Sequence, residues 1–463
     1  MSASEAPRLT SHEWGVLFVL CGAIFLEGID ISMMGVALPS IRAELGLPTA
    51  DLQWVVTAYA LGYGGFVLLG GRAADLLGRR RMFVTWLVVF LAFSGLGGLA
   101  TEGWILILAR FATGVAAGFL TPAGLSIITT MFAEGPRRDR ALLVYAGTAA
   151  GGFSLGMVTG GLLTALHWRW VFFAPVVVAA VLLVVAVRML PRQDPAPGGR
   201  FDIAGSVTLT VAMLVLVLAI VRAPDVEPGL TGSMLVVALV LLAGFTVIER
   251  RSAAPLVRLG ILRSAALARA NLGALLLVGS FMGFQFVAVL YLQELRNWST
   301  IETGLALAVA GIDAVLAPTL TPVLVRRLGN GRVVVAGLAL AALAYALFLP
   351  LTADGSYWLM LPALLVLGVA FALAYGPLTI AATDGVDEHE QGLAGGLLTT
   401  SFKFGAALGL AVVTAVVVAA SGGGPLSYDA LRAGLLVALA AALLGVMVTA
   451  PGLRTHARAR ATT

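Results

Sequence analysis

The sequence is poor in cysteine, in lysine and in charge of either sign, and each shortage excludes a class of protein. Cys21 is the single cysteine among 463 residues, so the chain can form neither an internal disulfide nor a thiolate metal cluster. Lys403 is the single lysine, and only 11% of the residues are charged, whereas soluble domains have about 25%. No polar stretch approaches the roughly 50 residues of a small domain, which argues against a soluble domain.

Signatures of enzymes and of ATP-driven pumps are also missing. The sequence has no G-x-x-x-x-G-K-[ST] phosphate loop, so ATP-driven transport is not expected. The histidines and the cysteine do not have the spacing of a metal site, and no catalytic constellation lies within the apolar runs. A polytopic membrane enzyme or receptor is therefore disfavoured. The four histidines are His12, His167, His389 and His456.

What the sequence has instead is apolar residues, which make up 60% of the chain. They form fourteen runs, each long enough for a helix to cross a bilayer, which takes about 20 residues. We therefore predict an all-α polytopic membrane protein with fourteen spans. The predicted spans are 13–36, 50–70, 82–100, 104–125, 142–165, 170–190, 203–222, 231–249, 268–292, 303–324, 332–351, 357–379, 391–419 and 429–450.

The arginines predict the orientation of these spans. They cluster in every second loop, as the positive-inside rule requires of cytoplasmic loops, and not in a patch that would bind nucleic acid. We therefore expect a multi-pass protein of the cell membrane with both termini in the cytoplasm and an uncleaved first span. One cytoplasmic loop is acidic instead, with Asp384, Asp387, Glu388 and Glu390. The arginine-rich segments are 79–81, 137–140, 188–200, 250–269, 326–332 and 454–460.

The loop between the second and third spans, residues 70–81, has a specific pattern that we call the signature loop. Gly71, Asp75, Gly78, Arg79 and Arg80 follow G-x-x-x-D-x-x-G-R-R. Taken alone, three adjacent arginines could be a topology signal without any mechanism. The full pattern resembles the loop between helices 2 and 3 of the major facilitator superfamily. That resemblance implies a conformational latch between the two halves of a transporter.

A degenerate copy of the signature loop, residues 323–332, follows the tenth span and lacks the aspartate. It indicates an internal duplication, which is how many secondary transporters are built. The flanks of spans seven and eight resemble those of the inserted pair in fourteen-span drug:proton antiporters of the major facilitator superfamily. We therefore expect a 6 + 2 + 6 arrangement. Its predicted domains are residues 1–190, a linker with two inserted helices at 191–265, and residues 266–463.

The first span contains two carboxylates, Glu27 and Asp30, which share one helical face. Ionisable groups within a span are costly and indicate function by default. Two carboxylates this close cannot both ionise cheaply in a dry site, so either can serve as a proton carrier. The alternative is that Asp30 is a structural partner of an arginine. Residues 29–39 resemble the L-D-x-T-x-x-N-V-A-L-P motif of drug:proton antiporters, with Ser32 for threonine and Gly35 for asparagine.

Arg110 in the fourth span is the natural counter-ion for Asp30. Gly114 and Gly118 follow it at one and two helical turns, where small residues permit close packing around the guanidinium group. This spacing resembles the span-four motif that the family is thought to use in proton coupling. The alternative is that the long side chain of Arg110 reaches the membrane surface.

The fifth span is rich in glycine. Gly152, Gly156, Gly160 and Gly161 resemble the antiporter motif G-x-x-x-G-P-x-x-G-G, in which Met157 replaces the proline. In the family this motif separates exporters from importers. Ordinary helix packing through small residues is the alternative interpretation.

The second half offers candidates for a substrate cavity. Asp313 and Lys403 lie within spans ten and thirteen and could contact a substrate; alternatively, they pair with each other or meet backbone polar groups. Six aromatic or amide side chains are further candidates, although each could instead pack in the protein or face lipid. They are Trp54, Tyr59, Tyr63, Phe284, Gln293 and Tyr375.

Taken together, these patterns predict a proton-coupled secondary transporter that exports hydrophobic or cationic drugs and antibiotics by alternating access. The energy source would be the proton gradient, without a cofactor or metal. The expected partners are protons, membrane lipid and a small-molecule substrate, with the chain acting as a monomer. The alternative function is an importer of the same fold or a metabolite exporter of narrow specificity, which the missing motif proline favours.

Overall fold

The computed structural model describes residues 10–132, 136–191, 202–252, 255–258, 260–350, 352, 356–384, 386, 391–422 and 424–451. Within these residues fourteen helices are long and apolar enough to cross a membrane, which confirms the predicted all-α architecture. They are numbered in chain order. The helices are α1 Ser11–Leu45, α2 Trp54–Leu77, α3 Arg79–Gly98, α4 Gly103–Met131, α5 Pro136–Leu166, α6 Trp170–Met189, α7 Ile203–Arg222, α8 Pro228–Arg251, α9 Ala265–Leu290, α10 Thr300–Leu328, α11 Asn330–Phe348, α12 Tyr357–Thr383, α13 Gln391–Ser421 and α14 Tyr428–Thr449.

Most helix ends lie within a few residues of the predicted ones, and α1 is the main exception. It begins at a capping box of Thr10 and Glu13 and ends only at Gly46, whose φ is 65°. The sequence prediction ended this span at residue 36, whereas the helix continues through Pro39, a residue that removes one helical hydrogen bond. Membrane bundles tolerate a proline within a helix, because neighbouring groups can bond the carbonyl that it frees. Pro39 frees the carbonyl of Gly35, and the carbonyl of Val36 beside it accepts a hydrogen bond from the side chain of Gln293 at 3.0 Å.

The tenth span is interrupted, which the sequence prediction did not include. Its α-helical parts, Thr300–Ala308 and Asp313–Leu328, are joined by a 3-10 turn at Val309–Ile312. A π turn at Tyr291–Leu295 likewise extends α9. Irregular backbone of this kind is tolerated in a membrane where it is enclosed by other helices.

The first six and the last six helices repeat one packing scheme. In the first half (α1–α6), α1 packs along α5 and α2 along α4; in the second half (α9–α14), α9 packs along α13 and α10 along α12. Between the halves, α2 packs on α13 and α10 packs on α5. These two contacts are equivalent, because α10 and α13 in the second half correspond to α2 and α5 in the first. Gly78 and Gly329 immediately precede α3 and α11, with φ of 93° and 87°. The signature loop and its copy thus each contain a glycine in a conformation that favours this residue.

The inserted pair sits beside the junction of the two halves. Helix α7 contacts both α2 and α13, and Gly65 makes room for the side chain of Thr210. Helix α8 packs on α7 and is otherwise exposed. Residues 192–201, which include most of the predicted linker, and the acidic residues Asp387, Glu388 and Glu390 lie outside the described residues.

Because the number of spans is even, α1 begins and α14 ends at the same end of the bundle, which we call the tail end. The opposite end, where α1 and α9 finish, is the far end. The signature loop lies at the tail end.

Candidate functional site

Glycines bring α2 and α4 so close that a side chain of one can reach the backbone of the other. A Cβ at Gly62 would overlap the carbonyl oxygen of Phe111, and one at Gly114 would overlap the carbonyl oxygen of Tyr59. A Cβ at Gly118 would lie 3.1 Å from the carbonyl oxygen of Tyr63. Small residues are what membrane helices use where backbones meet. This glycine contact positions Arg110 against α2.

Arg110 and Asp30 form an ion pair in the interior of the first half. Nη1 of Arg110 lies 2.6 Å from Oδ2 of Asp30, and the two side chains are 2% and 1% exposed. The guanidinium group also donates to the carbonyl of Val55 at 2.9 Å and stacks over the ring of Tyr59 at 4.6 Å. Arg110 therefore points inward and does not reach the membrane surface. Oδ1 of Asp30 has no hydrogen-bond partner among the described residues.

Glu27 lies one turn nearer the tail end than Asp30 and has different partners. Its Oε1 lies 3.0 Å from Nζ of Lys403, which belongs to the second half. Its Oε2 accepts hydrogen bonds from the hydroxyl groups of Tyr63, at 3.2 Å, and Thr121, at 2.8 Å. The ammonium group of Lys403 also lies 4.0 Å from the ring centroid of Tyr63. The two carboxylates of α1 are thus each paired with a different cation.

The two ion pairs differ in how far solvent reaches them. The side chains of Lys403 and Glu27 are 16% and 12% exposed, whereas Arg110 and Asp30 are almost completely enclosed. The Glu27–Lys403 pair therefore borders accessible space between the halves. Tyr375 of α12 stacks on Phe402, next to Lys403 in the chain, at a centroid distance of 4.4 Å and is itself half exposed.

Asp313 is not the partner of Lys403, contrary to one of the alternatives from the sequence. It begins the second part of α10 and is partly buried, and it forms no ion pair within the described segments. The sequence does not discriminate between Glu27 and Asp313 as partners of Lys403, because both lie within spans and only the packing of the two halves brings one of them to Lys403.

The glycines of the antiporter motif divide between two neighbours. Gly152, Gly156 and Gly160 face α1, where a Cβ would lie 2.8, 2.8 and 2.7 Å from backbone atoms of Phe25, Ile29 and Met33 respectively. A Cβ at Gly161 would lie 2.6 Å from the carbonyl oxygen of Thr300 in the second half. Helix α5 thereby packs both on the helix that carries the carboxylates and on the opposite half.

The signature loop makes its described contacts within the first half. Asp75 pairs with Arg79 at 3.1 Å and accepts a hydrogen bond from Ser126 at 3.5 Å. Arg80 donates to the carbonyl of Val187 at 2.5 Å, and Gly71 faces Pro122 without crowding. These contacts join α2, α3, α4 and α6 at the tail end. A latch between the halves stays a prediction, because these bonds do not extend to the second half.

The remaining cavity candidates are scattered. Phe284 packs in the core of the second half, with ring centroids 5.2 Å from Tyr345 and 5.0 Å from Phe348, which differs from the expected position in a substrate cavity. Trp54 lines a cavity of about 320 Å³ at the far end, beside Arg222 of the inserted pair, and so lies away from Glu27. Of the six candidates, Tyr59 and Tyr63 contact the two ion pairs directly.

Three polar contributions escaped the sequence analysis. Thr121 donates a hydrogen bond to Glu27. The one feature of the sequence that could have indicated this role is a hydroxyl group next to Pro122. Gln285 of α9 occupies the space beside Gly35, where the family motif has asparagine. At the far end Arg42 pairs with Glu294 at 2.7 Å and so joins α1 to α9. Each pairs residues about 90 or more positions apart, so the sequence alone does not show them.

No group of three or more histidine, cysteine, aspartate or glutamate side chains that could hold a metal ion is found in the part of the chain described by the structure.

Comparison with known proteins identifies the family. The family model of the Major Facilitator Superfamily matches residues 20–410. The cephamycin export protein CmcT of Amycolatopsis lactamdurans is 35% identical over 97% of this chain and 94% of its own length. The lincomycin resistance protein of Streptomyces lincolnensis is 32% identical, covering 98% and 94% respectively, and the puromycin resistance protein pur8 of Streptomyces alboniger is 33% identical, covering 88% and 82%.

Solved structures agree on the fold. A POT family transporter in complex with 5-aminolevulinic acid has a TM-score of 0.70 at 14% identity, covering 94% of this chain and 95% of that one. A mutant of the nucleoside transporter NupG has a TM-score of 0.68 at 13% identity, covering 95% and 99%. At these identities the likeness concerns the fold alone. The chain is a transporter of the Major Facilitator Superfamily, with the fourteen-helix form of its fold.

Proposed function

We propose that this protein exports small, hydrophobic or cationic antibiotics from the cell in exchange for protons. The export and resistance proteins named above support an antibiotic-like substrate. The observation that carries the coupling proposal is the Asp30–Arg110 pair, which is enclosed by protein and leaves one carboxylate oxygen of Asp30 without a partner among the described residues. An ionisable group buried within a membrane span costs free energy, and such groups usually have a function.

Protonation of Asp30 is the proposed coupling step. A proton on Oδ1 neutralises the carboxylate and removes its attraction to the guanidinium group of Arg110. Arg110 keeps its bonds to Val55 and the ring of Tyr59, so the guanidinium group is held on α2 while α1 is released. A ligand shifts a conformational equilibrium only by its different affinity for the two states. The proton is such a ligand, because it binds tightly only where the ion pair is broken.

We further propose that the tail end faces the cytoplasm, as the arginine distribution predicts. The far end is then the outer face, and the Arg42–Glu294 pair and the Gln293–Val36 hydrogen bond close it between the halves. Residues 1–190 and 266–463 would rock against each other as two domains, with residues 191–265 as the connecting segment. The chain would act as a monomer in the cell membrane, with the proton gradient as its only energy source.

A panel of fluorescent dyes and antibiotics, tested for efflux from cells with and without a protonophore, tests this proposal. We expect the expressed protein to lower the accumulation of several hydrophobic or cationic compounds and the protonophore to abolish that effect. Export that persists after collapse of the proton gradient would refute proton coupling, and an unchanged accumulation of every compound would refute drug export.

A second candidate function is import, or export of one metabolite. Met157 in place of the motif proline favours it, because the motif that this chain matches incompletely separates exporters from importers in the family. Inverted membrane vesicles with an imposed pH gradient separate the two directions. Drug accumulation in such vesicles that requires an acidic interior is expected of an exporter.

A further inference from the structure

The single lysine of the chain occupies an unusual place. Lys403 lies in the middle of α13, and its ammonium group crosses to the first half to meet Glu27. A Cβ at Gly64 of α2 would lie 3.0 Å from the Cβ of Lys403, so the two backbones approach closely at this point. Lys403 is thus brought to the interface between the halves by close packing of the helices.

The surroundings of the ammonium group are those of a site for a protonated amine. Glu27 supplies a carboxylate oxygen at 3.0 Å, and Tyr63 supplies the face of its ring at 4.0 Å. A charge-assisted hydrogen bond and a cation–π contact are the two interactions that proteins use to bind organic cations. Neither interaction is specific to lysine, because a substrate amine could make both.

Glu27 does not depend on Lys403 for its position. Its other oxygen, Oε2, is held by the hydroxyl groups of Tyr63 and Thr121, while Oε1 bonds to Lys403. If the ammonium group withdraws, the carboxylate remains in place with Oε1 available. The lysine side chain is flexible and carries a point charge, so it can leave without disturbing the backbone. The partial exposure of both side chains gives a substrate access to them.

We propose that Glu27, Tyr63 and Thr121 form an amine subsite for the transported compound, and that Lys403 is a tethered competitor which fills this subsite in the empty transporter. The substrate class is then an amphipathic molecule with a protonated amine. This inference rests on the proposed transport function for its biological meaning. Lys403 keeps the charge of Glu27 neutralised when no substrate is bound, and an arriving amine must displace it.

The test is direct binding to the purified full-length protein, which requires neither a proton gradient nor transport. Two probes with the same fluorophore are compared: dansylcadaverine, which carries a protonated amine, and N-pentyl dansylamide, which does not. In Lys403→Met, which has an unbranched side chain without charge, we expect a several-fold gain in affinity for the amine probe alone. In Glu27→Gln we expect its affinity to fall about tenfold or more, the loss of one charge-assisted hydrogen bond.

Two further variants control for charge and folding. Lys403→Arg keeps a tethered cation and should show no gain in affinity for the amine probe. The double variant Glu27→Gln/Lys403→Met removes both charges, so no buried charge is left unpaired, and it should bind the amine probe as weakly as Glu27→Gln. The neutral probe should bind all variants alike, which reports an intact fold.

Unchanged or weaker binding of the amine probe to Lys403→Met would refute the proposal that Lys403 competes with the substrate amine. Equal changes in affinity for both probes would assign Lys403 a purely structural role. If the amine probe binds neither the unaltered protein nor Lys403→Met, the proposed amine subsite is refuted. These outcomes are separate from the efflux assay, since binding of the amine probe can be found in a protein that does not exchange protons, and the reverse.

Discussion

At the scale of single residues, the site separates two ionisable pairs that the sequence presents as one cluster. Asp30 and Arg110 are enclosed within the first half, whereas Glu27 and Lys403 connect the halves and are partly accessible. A proton and an organic cation make different demands on a site. A coupling proton needs an enclosed carboxylate whose charge affects the packing of the helices. An organic cation needs an accessible carboxylate beside an aromatic ring.

The first prediction at this scale concerns Asp30. The substitution Asp30→Asn keeps the shape of the side chain and removes the titratable group, so we expect dye efflux to be abolished while the protein still reaches the membrane. Efflux from cells and the amount of protein in the membrane fraction are the measurements. The matched control is Asp429→Asn, which alters an aspartate that is 90% exposed at the start of α14. Near wild-type export by Asp30→Asn would contradict the role of this residue.

The second prediction concerns the partner of Asp30. Removal of one member of a buried ion pair costs about 3–5 kcal/mol, because the remaining charge is left without compensation. Arg110→Met should therefore lower the melting temperature of the purified protein strongly, and the double variant Asp30→Asn/Arg110→Met should recover most of the loss. Thermal unfolding in one detergent measures both. An equal loss in the single and the double variant would mean that Arg110 acts by packing and not by charge.

At the scale of helices, close approach between backbones decides which side chains meet. Gly114 and Gly62 let α2 and α4 touch, and Gly152 to Gly160 do the same for α5 and α1. The polar groups of α1, α2 and α4 converge on one place because these helices are held so close. The sequence predicted small-residue packing for Gly114 and for the glycines of α5, and the structure shows which helix each of them faces.

The prediction at this scale is that the glycines are not equivalent. Gly114→Ala places a methyl group where the carbonyl of Tyr59 lies, so it should force α2 from α4 and cost about 1–3 kcal/mol. Gly151→Ala in α5 is the matched control, since a Cβ at this position would have no neighbouring atom within 4 Å and alanine favours a helix. We expect Gly114→Ala alone to lower both the melting temperature of the purified protein and the rate of efflux. Equal tolerance of the two substitutions would contradict the close approach.

At the scale of the whole molecule, ion pairs and the packing of helices join the two halves within the described residues. The Arg42–Glu294 pair joins them at the far end, the Glu27–Lys403 pair joins them in the middle, and α7 packs across the junction of α2 and α13. The Arg42–Glu294 pair, whose side chains are 34% and 21% exposed, contributes little stability, about 0–1 kcal/mol. Pairs of this kind can break and reform, which is what alternating access requires of them.

The prediction at this scale is that covalent closure of the far end stops transport. Because Cys21 is the single cysteine, Cys21→Ser gives a background in which Arg42→Cys and Glu294→Cys carry the only thiol groups. A short bifunctional maleimide should cross-link them and abolish efflux. Each single-cysteine variant treated in the same way is the control and should stay active. Continued efflux after complete cross-linking would mean that the far end does not open.

The sequence by itself determined the membrane-spanning architecture, the fourteen spans and the likeness to the family, because each rests on local signals such as long apolar runs and motif spacing. It also named the members of both ion pairs, since charged residues within spans are few enough to be conspicuous. The pairing of Lys403 with Glu27, 376 positions away, was decided by tertiary structure. The tertiary structure also decided that Phe284 lies in the core and Trp54 at the far end, because a side chain's neighbours depend on helix rotation and on how the halves pack.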